Sequence, residues 1–185
     1  MSRDKNLIWV DLEMTGLNPQ KDVILEVACM ITDSQLNILD TGLEFVIHQP
    51  EESLELMCSE VREMHHKSGL IARVRESKIT VEQVQVQLFE LFKKYCDPNT
   101  GLLAGNSVWQ DRNFMVKYMP SLVEYCHYRV LDVSGIKEVV SRWYPESVYR
   151  KFEKSEKHRA MQDVIGSIEE LKHFRKHFFQ PTSLR

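Results

Sequence analysis

Residues 7–16 read LIWVDLEMTG, and two acids, Asp11 and Glu13, stand where a buried hydrophobic strand is expected to continue from Leu7, Ile8, Trp9 and Val10. Successive strand side chains point to opposite faces, so residues two apart share a face and the two carboxylates project together. By itself a D-x-E pair reads most simply as a solvated strand face. The flank argues otherwise. An unbroken apolar run suits a central strand covered on both faces, and Met14-Thr15-Gly16 turns the chain away just beyond the acids. The acids are therefore expected at the end of a buried strand, at the mouth of a cleft. Two like charges are tolerable there only if solvent screens them or a cation lies between them.

The 185 residues, 43% hydrophobic and 28% charged, suit one domain with a full core, and we read residues 1–185 as a single domain. No apolar run approaches the ~18 residues that a membrane span needs. The opening MSRDKN has no signal-peptide core. A cytoplasmic location without membrane attachment is expected. Cys29, Cys58, Cys96 and Cys126 are scattered without a C-x-x-C pair, which indicates reduced thiols rather than a zinc site or a disulfide framework. The net charge of −3 lacks the basic excess by which proteins track long nucleic acid. If nucleic acid is the substrate, the balance favours a short one, gripped by a few placed groups and metal ions.

Residues 23–33 (VILEVACMITD) and 36–49 (LNILDTGLEFVIHQ) are β-rich, and with the first strand they predict an antiparallel meander. The polar segment 51–74 is helical in part. Thr80 and Gln83 form a capping pattern ahead of a helix whose Val84, Leu88, Leu91, Phe92 and Tyr95 share one face. GLLAGNSV (101–108) is a short buried strand, with Asp111 at the head of the helix that follows. VLDV (130–133) is a strand, SGIKEVVSRWY a helix, 150–159 a charged loop, and a last helix runs from about Arg159 to Phe178. A meander followed by alternating helices and strands implies an α/β fold: a mixed β-sheet flanked by helices.

Two further acids stand where elements begin. Asp111 follows a buried strand and can lie at the sheet end that carries the first pair. Asp163 falls in the first turns of the last helix, where unpaired amides and the helix dipole favour negative charge. Each alone is an ordinary helix-start acid. That reading leaves unexplained His158, five residues before Asp163. Together Asp11, Glu13, Asp111 and Asp163 offer hard oxygen ligands without thiolates, which suit Mg²⁺ or Mn²⁺ rather than Zn²⁺. Four carboxylates can hold two such ions, one activating a water and the other stabilising the leaving oxygen of an in-line phosphoryl displacement. His158 is the candidate general base.

Four segments, LIWVDLEMTGLNP, LLAGNSVWQDRNFMVKYMP, HYRVLDVSGIKEVVSRWYP and HRAMQDVIGSIEEL, resemble in order, and over nearly the whole chain, the oligoribonucleases. These are histidine-subtype members of the DEDD exonuclease superfamily. The resemblance implies a ribonuclease H-like fold and a homodimer that trims short single-stranded RNA, dinucleotides especially, from the 3′ end to nucleoside 5′-monophosphates. It implies Asp11, Glu13, Asp111 and Asp163 as metal ligands and His158 as base. It also implies that Ser107, Arg129 and Ser134 contact the 5′ phosphate of a dinucleotide, that Tyr128 is supplied by the other subunit, that Leu17 wedges between the bases, and that His65 lines the pocket. Such a closed phosphate pocket leaves no path for a longer strand.

Three positions depart from the family pattern. Glu60 stands where a tryptophan stacks on a base, a contact worth about 1–3 kcal/mol. Trp109 stands where a small residue is usual and is a candidate substitute surface. Gln162 replaces an acid before Asp163. His173 and His177, four apart, lack the glutamate of a metalloprotease pair and suit the helix C-terminus. Lys151, Lys154 and Lys157 read as a solvated loop that also draws in anions. No phosphate-binding glycine motif and no G-x-S-x-G occurs. The alternatives to a metal-dependent exoribonuclease are a non-catalytic binder of a signalling dinucleotide, which has no need of a water-activating base, and a related exonuclease acting on structured RNA ends or DNA.

Overall fold

The computed structural model describes residues 3–145 and 159–179. Five strands form one mixed sheet: β1 (Leu7–Met14), β2 (Ile24–Thr32), β3 (Leu43–Val46), β4 (Leu102–Gly105) and β5 (Val130–Asp132), in the order β3-β2-β1-β4-β5. The meander is antiparallel, and β4 and β5 join it in parallel through helical crossovers. Helices α1 (Glu51–Glu55), α2 (Ser59–Lys67) and α3 (Leu70–Glu76) follow β3. Then come α4 (Val81–Tyr95), α5 (Val108–Tyr118), α6 (Pro120–Tyr125), α7 (Val133–Trp143) and α8 (Ala160–Phe178). Among the described residues no helix is long and apolar enough to cross a membrane.

The period of two along β1 decides what each face meets. Ile8, Val10 and Leu12 pack with Val84, Leu88, Phe92 and Phe114 of α4 and α5, while Leu7 and Trp9 pack with Val164, Ile168 and Phe174 of α8. Asp11 and Glu13 continue the Trp9 row and so face α8. The indole of Trp9 donates to the Thr32 hydroxyl at 2.9 Å, leaving no unsatisfied polar atom on that ring inside the core.

β1 and β4 pair only from Leu7↔Leu102 to Trp9↔Ala104, whereas β1 stays paired with β2 as far as Met14↔Ile24. Beyond Trp9 the two parallel strands part, and this opens a crevice at their carboxyl ends, where α/β sheets place ligands. The acids therefore lie inside β1 and not past its end, because β2 holds the strand straight through them.

Two other boundaries differ from the sequence expectation. The third β-rich run begins at Leu36, yet its strand begins at Leu43. The Asp33 carboxylate accepts from the amides of Gln35 (2.7 Å) and Asn37 (3.0 Å), and the resulting turn places Leu36 at a φ of 66°. Helix α5 starts at Val108, earlier than expected, because the Asp132 carboxylate accepts from the Ser107 amide at 3.0 Å and fixes the chain where the helix opens. The capping box of α4 forms as expected, with the Gln83 amide on the Thr80 hydroxyl and the Thr80 amide on the Gln83 side chain.

Candidate active site

Asp11 and Glu13 of β1 and Asp163 in the first turn of α8 each bring one carboxylate oxygen within 4.8 Å of the others. Asp111, in the first turn of α5, lies beside this trio without being part of it. Its Oδ1 accepts from the amide of Leu12, between the two β1 acids, at 2.9 Å. That amide points where β4 has already diverged, so the carboxylate takes over the role of a missing strand partner.

Burial and crowding of like charge leave two of these acids, Glu13 and Asp111, reluctant to ionise. Glu13 is pushed up to about 7, by burial first and then by the charges of Asp163, Glu26 and Asp111, with Arg159 opposing. Asp111 is pushed up to about 7 chiefly by burial, against the pull of the Leu12 amide and with the charge of Asp132 adding. An all-oxygen donor set under this strain fits a hard divalent cation, which offsets the repulsion and favours both ionised forms.

A pH dependence follows. Both native values lie above the ordinary carboxylate values, so the stability these acids lend the metal-free protein is full below about pH 4 and is lost as the pH rises through about 7. Over that window the chelated protein is expected to lose melting temperature, while the increment produced by saturating Mn²⁺ grows. An increment that stays flat from pH 5.5 to pH 8 contradicts this cause.

His158 lies outside the described residues. His65, on α2, has no exposed surface; its Nε2 lies 2.9 Å from the Met14 carbonyl oxygen and its Nδ1 3.9 Å from the Glu13 carboxylate, so it backs the end of β1 from inside. Leu17, just past β1, is 74% exposed, and its carbonyl accepts from the Gln110 side chain. Ser107 and Ser134 face each other with their hydroxyl oxygens 3.2 Å apart, and Asp132 Oδ1 accepts from both of their amides. Tyr128 and Arg129 are exposed together, the guanidinium 5.2 Å from the ring centroid. Glu60 is exposed at the start of α2, and Trp109 presents an exposed indole two residues before Asp111.

The exonuclease family model matches residues 8–171. The oligoribonuclease of Acinetobacter baylyi is 47% identical over 178 residues, which are 96% of this chain and 97% of that protein. The chain belongs to the oligoribonuclease family. The Corynebacterium glutamicum oligoribonuclease is 46% identical over 179 residues, 96% of this chain and 82% of that one. Among solved structures, E. coli exonuclease I in complex with a dA16 oligonucleotide superposes with a TM-score of 0.72 over 94% of this chain at 16% identity. The chain spans 41% of that exonuclease's length, and the likeness is one of fold, the ribonuclease H-like mixed sheet.

Three residues of this oligoribonuclease-family site escape a reading of the sequence. Glu26 lies directly opposite Glu13 on β2 and is wholly buried. Asp132 caps α7 as well as holding Ser107. Asn106 accepts from the Ser134 hydroxyl at 3.0 Å and donates to Ser167 (2.8 Å) and Glu170 (3.0 Å) of α8, so it ties the serine pair to the helix that carries Asp163. The available signal is a polar residue breaking an apolar run, as Glu26 does in VILEVA.

Proposed function

We propose that this chain is a metal-dependent 3′-to-5′ exoribonuclease that degrades short oligoribonucleotides, dinucleotides above all, to nucleoside 5′-monophosphates. In this reading residues 1–185 work as one domain, in the cytoplasm, as a homodimer. The carrying observation is the convergence of Asp11, Glu13 and Asp163 within 4.8 Å, beside Asp111, in a chain of the oligoribonuclease family. The free state of all four cysteines fits a reducing compartment.

Asp11, Glu13, Asp111 and Asp163 would hold two divalent ions, Mg²⁺ or Mn²⁺. When bound, these supply Lewis-acid activation of a water and charge stabilisation at the leaving 3′ oxygen. His158 takes the proton of the attacking water as its oxygen bonds to phosphorus and the bond from phosphorus to the 3′ oxygen breaks. Ser107, Ser134 and Arg129 donate to the 5′ phosphate of a dinucleotide. Asp132 serves them by accepting both serine amides, and the hydroxyls, which bond to each other and to Asn106 in the free protein, turn to the phosphate when it binds. Leu17 wedges the bases apart, Tyr128 acts from the partner subunit, and the buried His65 supports the strand end against which the substrate rests.

A length series of 5′-labelled RNAs tests this reading. The labelled RNAs are expected to shorten from the 3′ end in single-nucleotide steps, 5′-phosphorylated dinucleotides to be cut fastest, and turnover to vanish in excess chelator. Loss of a charged phosphate contact costs about 1.5–3 kcal/mol, so Arg129→Ala is expected to slow dinucleotide cleavage about ten- to a hundredfold and longer RNA less. Equal losses at every length contradict the phosphate cap. Full turnover in chelator contradicts the metal, and tight dinucleotide binding without cleavage marks a binder.

A further inference from the structure

The start of α8 is held by a residue that is not among its candidate ligands. Arg159 occupies the N-cap position and its side chain makes no capping bond to its own helix. The first helical amide, that of Ala160, donates instead to Glu26 Oε2 on β2 at 3.2 Å. A remote carboxylate thus does the work of an N-cap and meets the positive end of the helix dipole. Around it the charges interlock. Arg73 donates to Glu26 Oε1 at 2.6 Å, Arg159 Nε lies 3.6 Å from Oε2, and Glu44 receives Arg159 Nη2 at 3.2 Å and Arg73 Nη2 at 3.8 Å.

Glu26 has no exposed surface and stands directly opposite Glu13, where a like charge is unfavourable. A strand needing only to pack has no use for an acid there. Nor does Glu26 belong to the trio of oxygens that gather within 4.8 Å. What it does do is fix where α8 begins, three residues before Asp163, whose own amide makes the bond back to the Arg159 carbonyl at 3.0 Å.

We propose that Glu26 and Arg159 are positioning residues: a brace from β2 to the N-terminus of α8 that sets Asp163 for metal capture. This rests on the proposed metal site at Asp11, Glu13, Asp111 and Asp163. Glu26→Gln keeps the shape and one acceptor but cannot hold both arginines and the amide, and Arg159→Ala releases the brace from the helix side.

The test measures Mn²⁺ affinity by titration calorimetry on metal-stripped full-length protein, beside kcat and KM on a 5′-phosphorylated dinucleotide. Partners that orient metal ligands are worth about ten- to a hundredfold in affinity or activity. Both variants are expected to weaken Mn²⁺ binding and lower kcat by that factor, with KM changed less than about twofold and Arg159→Lys recovering part of the loss. If Glu26→Gln does not fold, Arg159→Ala, at a side chain only about one-third exposed, carries the same reading. A lower melting temperature with Mn²⁺ affinity and kcat unchanged overturns the brace. Asp11→Asn in parallel separates the two ideas: Mn²⁺ binding lost there but kept in both brace variants overturns the brace alone, and binding kept in all three overturns the site as well.

Discussion

Replacing Asp111 with asparagine is expected to abolish turnover while leaving the metal-free protein at least as stable as its parent. The fold has little reason to change, because an asparagine Oδ1 accepts from the Leu12 amide as the carboxylate does at 2.9 Å. Catalysis has every reason to change. The variant puts an amide where an anionic ligand is needed, and breaking a buried charge pairing costs about 3–5 kcal/mol, which is about three orders of magnitude in rate. The stability expectation has the opposite sign. Asp111 is buried, is raised to about 7, and helps to raise Glu13. At pH 8 the metal-free parent therefore keeps two ionised acids where neither is comfortable, and the variant removes one. Its melting temperature in chelator at pH 8 is expected to rise, at about 2–4 °C per kcal/mol for a chain of this size, and the gain is expected to shrink as the pH falls below the range in which Asp111 ionises. Rates close to the parent's, or a loss of stability at pH 8, contradict the assignment. A loss of function that comes with a gain of stability is the mark of a residue kept for its chemistry.

His158→Ala is expected to be nearly as severe, for a different reason. General bases contribute about 10²–10⁴-fold, and the loss falls on kcat while Mn²⁺ affinity stays within about twofold because no ligand has been removed. The pH profile carries the distinction. The parent is expected to lose rate on the acid side as the imidazole gains its proton. The variant is expected to lack that limb and to keep rising with hydroxide. A variant that keeps the acid limb, or that loses metal affinity in step with kcat, shows that this histidine is not the base.

The parts of the site that were legible in the sequence are those that rest on local periodicity. Asp11 and Glu13 were readable because a period of two puts them on one face, and that face is the one that meets α8. Thr80 and Gln83 announced a helix because the capping box is complete within four residues. Asp111 and Asp163 were readable as helix-start acids and their chemistry grouped them with the β1 pair, whereas the crevice itself was not legible, since it depends on β1 and β4 parting after Trp9. Other features lay beyond local pattern. The turn made by Asp33 competes with strand pairing through side-chain bonds and shortens β3. Glu26 gave only a break in an apolar run, because its partners, Arg73 and Arg159, come from helices far along the chain. The serine pair, with Asp132 beneath it, joins the start of α5 to the first turn of α7 and has no spacing rule of its own. For Ser107, Ser134 and Arg129 the family resemblance supplied what periodicity did not.

The central claim is that side chains from β1, α5 and α8 gather to hold divalent metal against a phosphodiester. Crystals grown with Mn²⁺ and a non-hydrolysable 5′-phosphorylated dinucleotide test it most directly, through the anomalous signal of the metal. Peaks are expected within ligand distance, about 2.1–2.3 Å, of Asp11, Glu13 and Asp163, with the internucleotide phosphodiester beside them and the 5′ phosphate at Ser107 and Ser134. Anomalous density absent from these carboxylates at saturating Mn²⁺, or a dinucleotide bound away from them, contradicts the account.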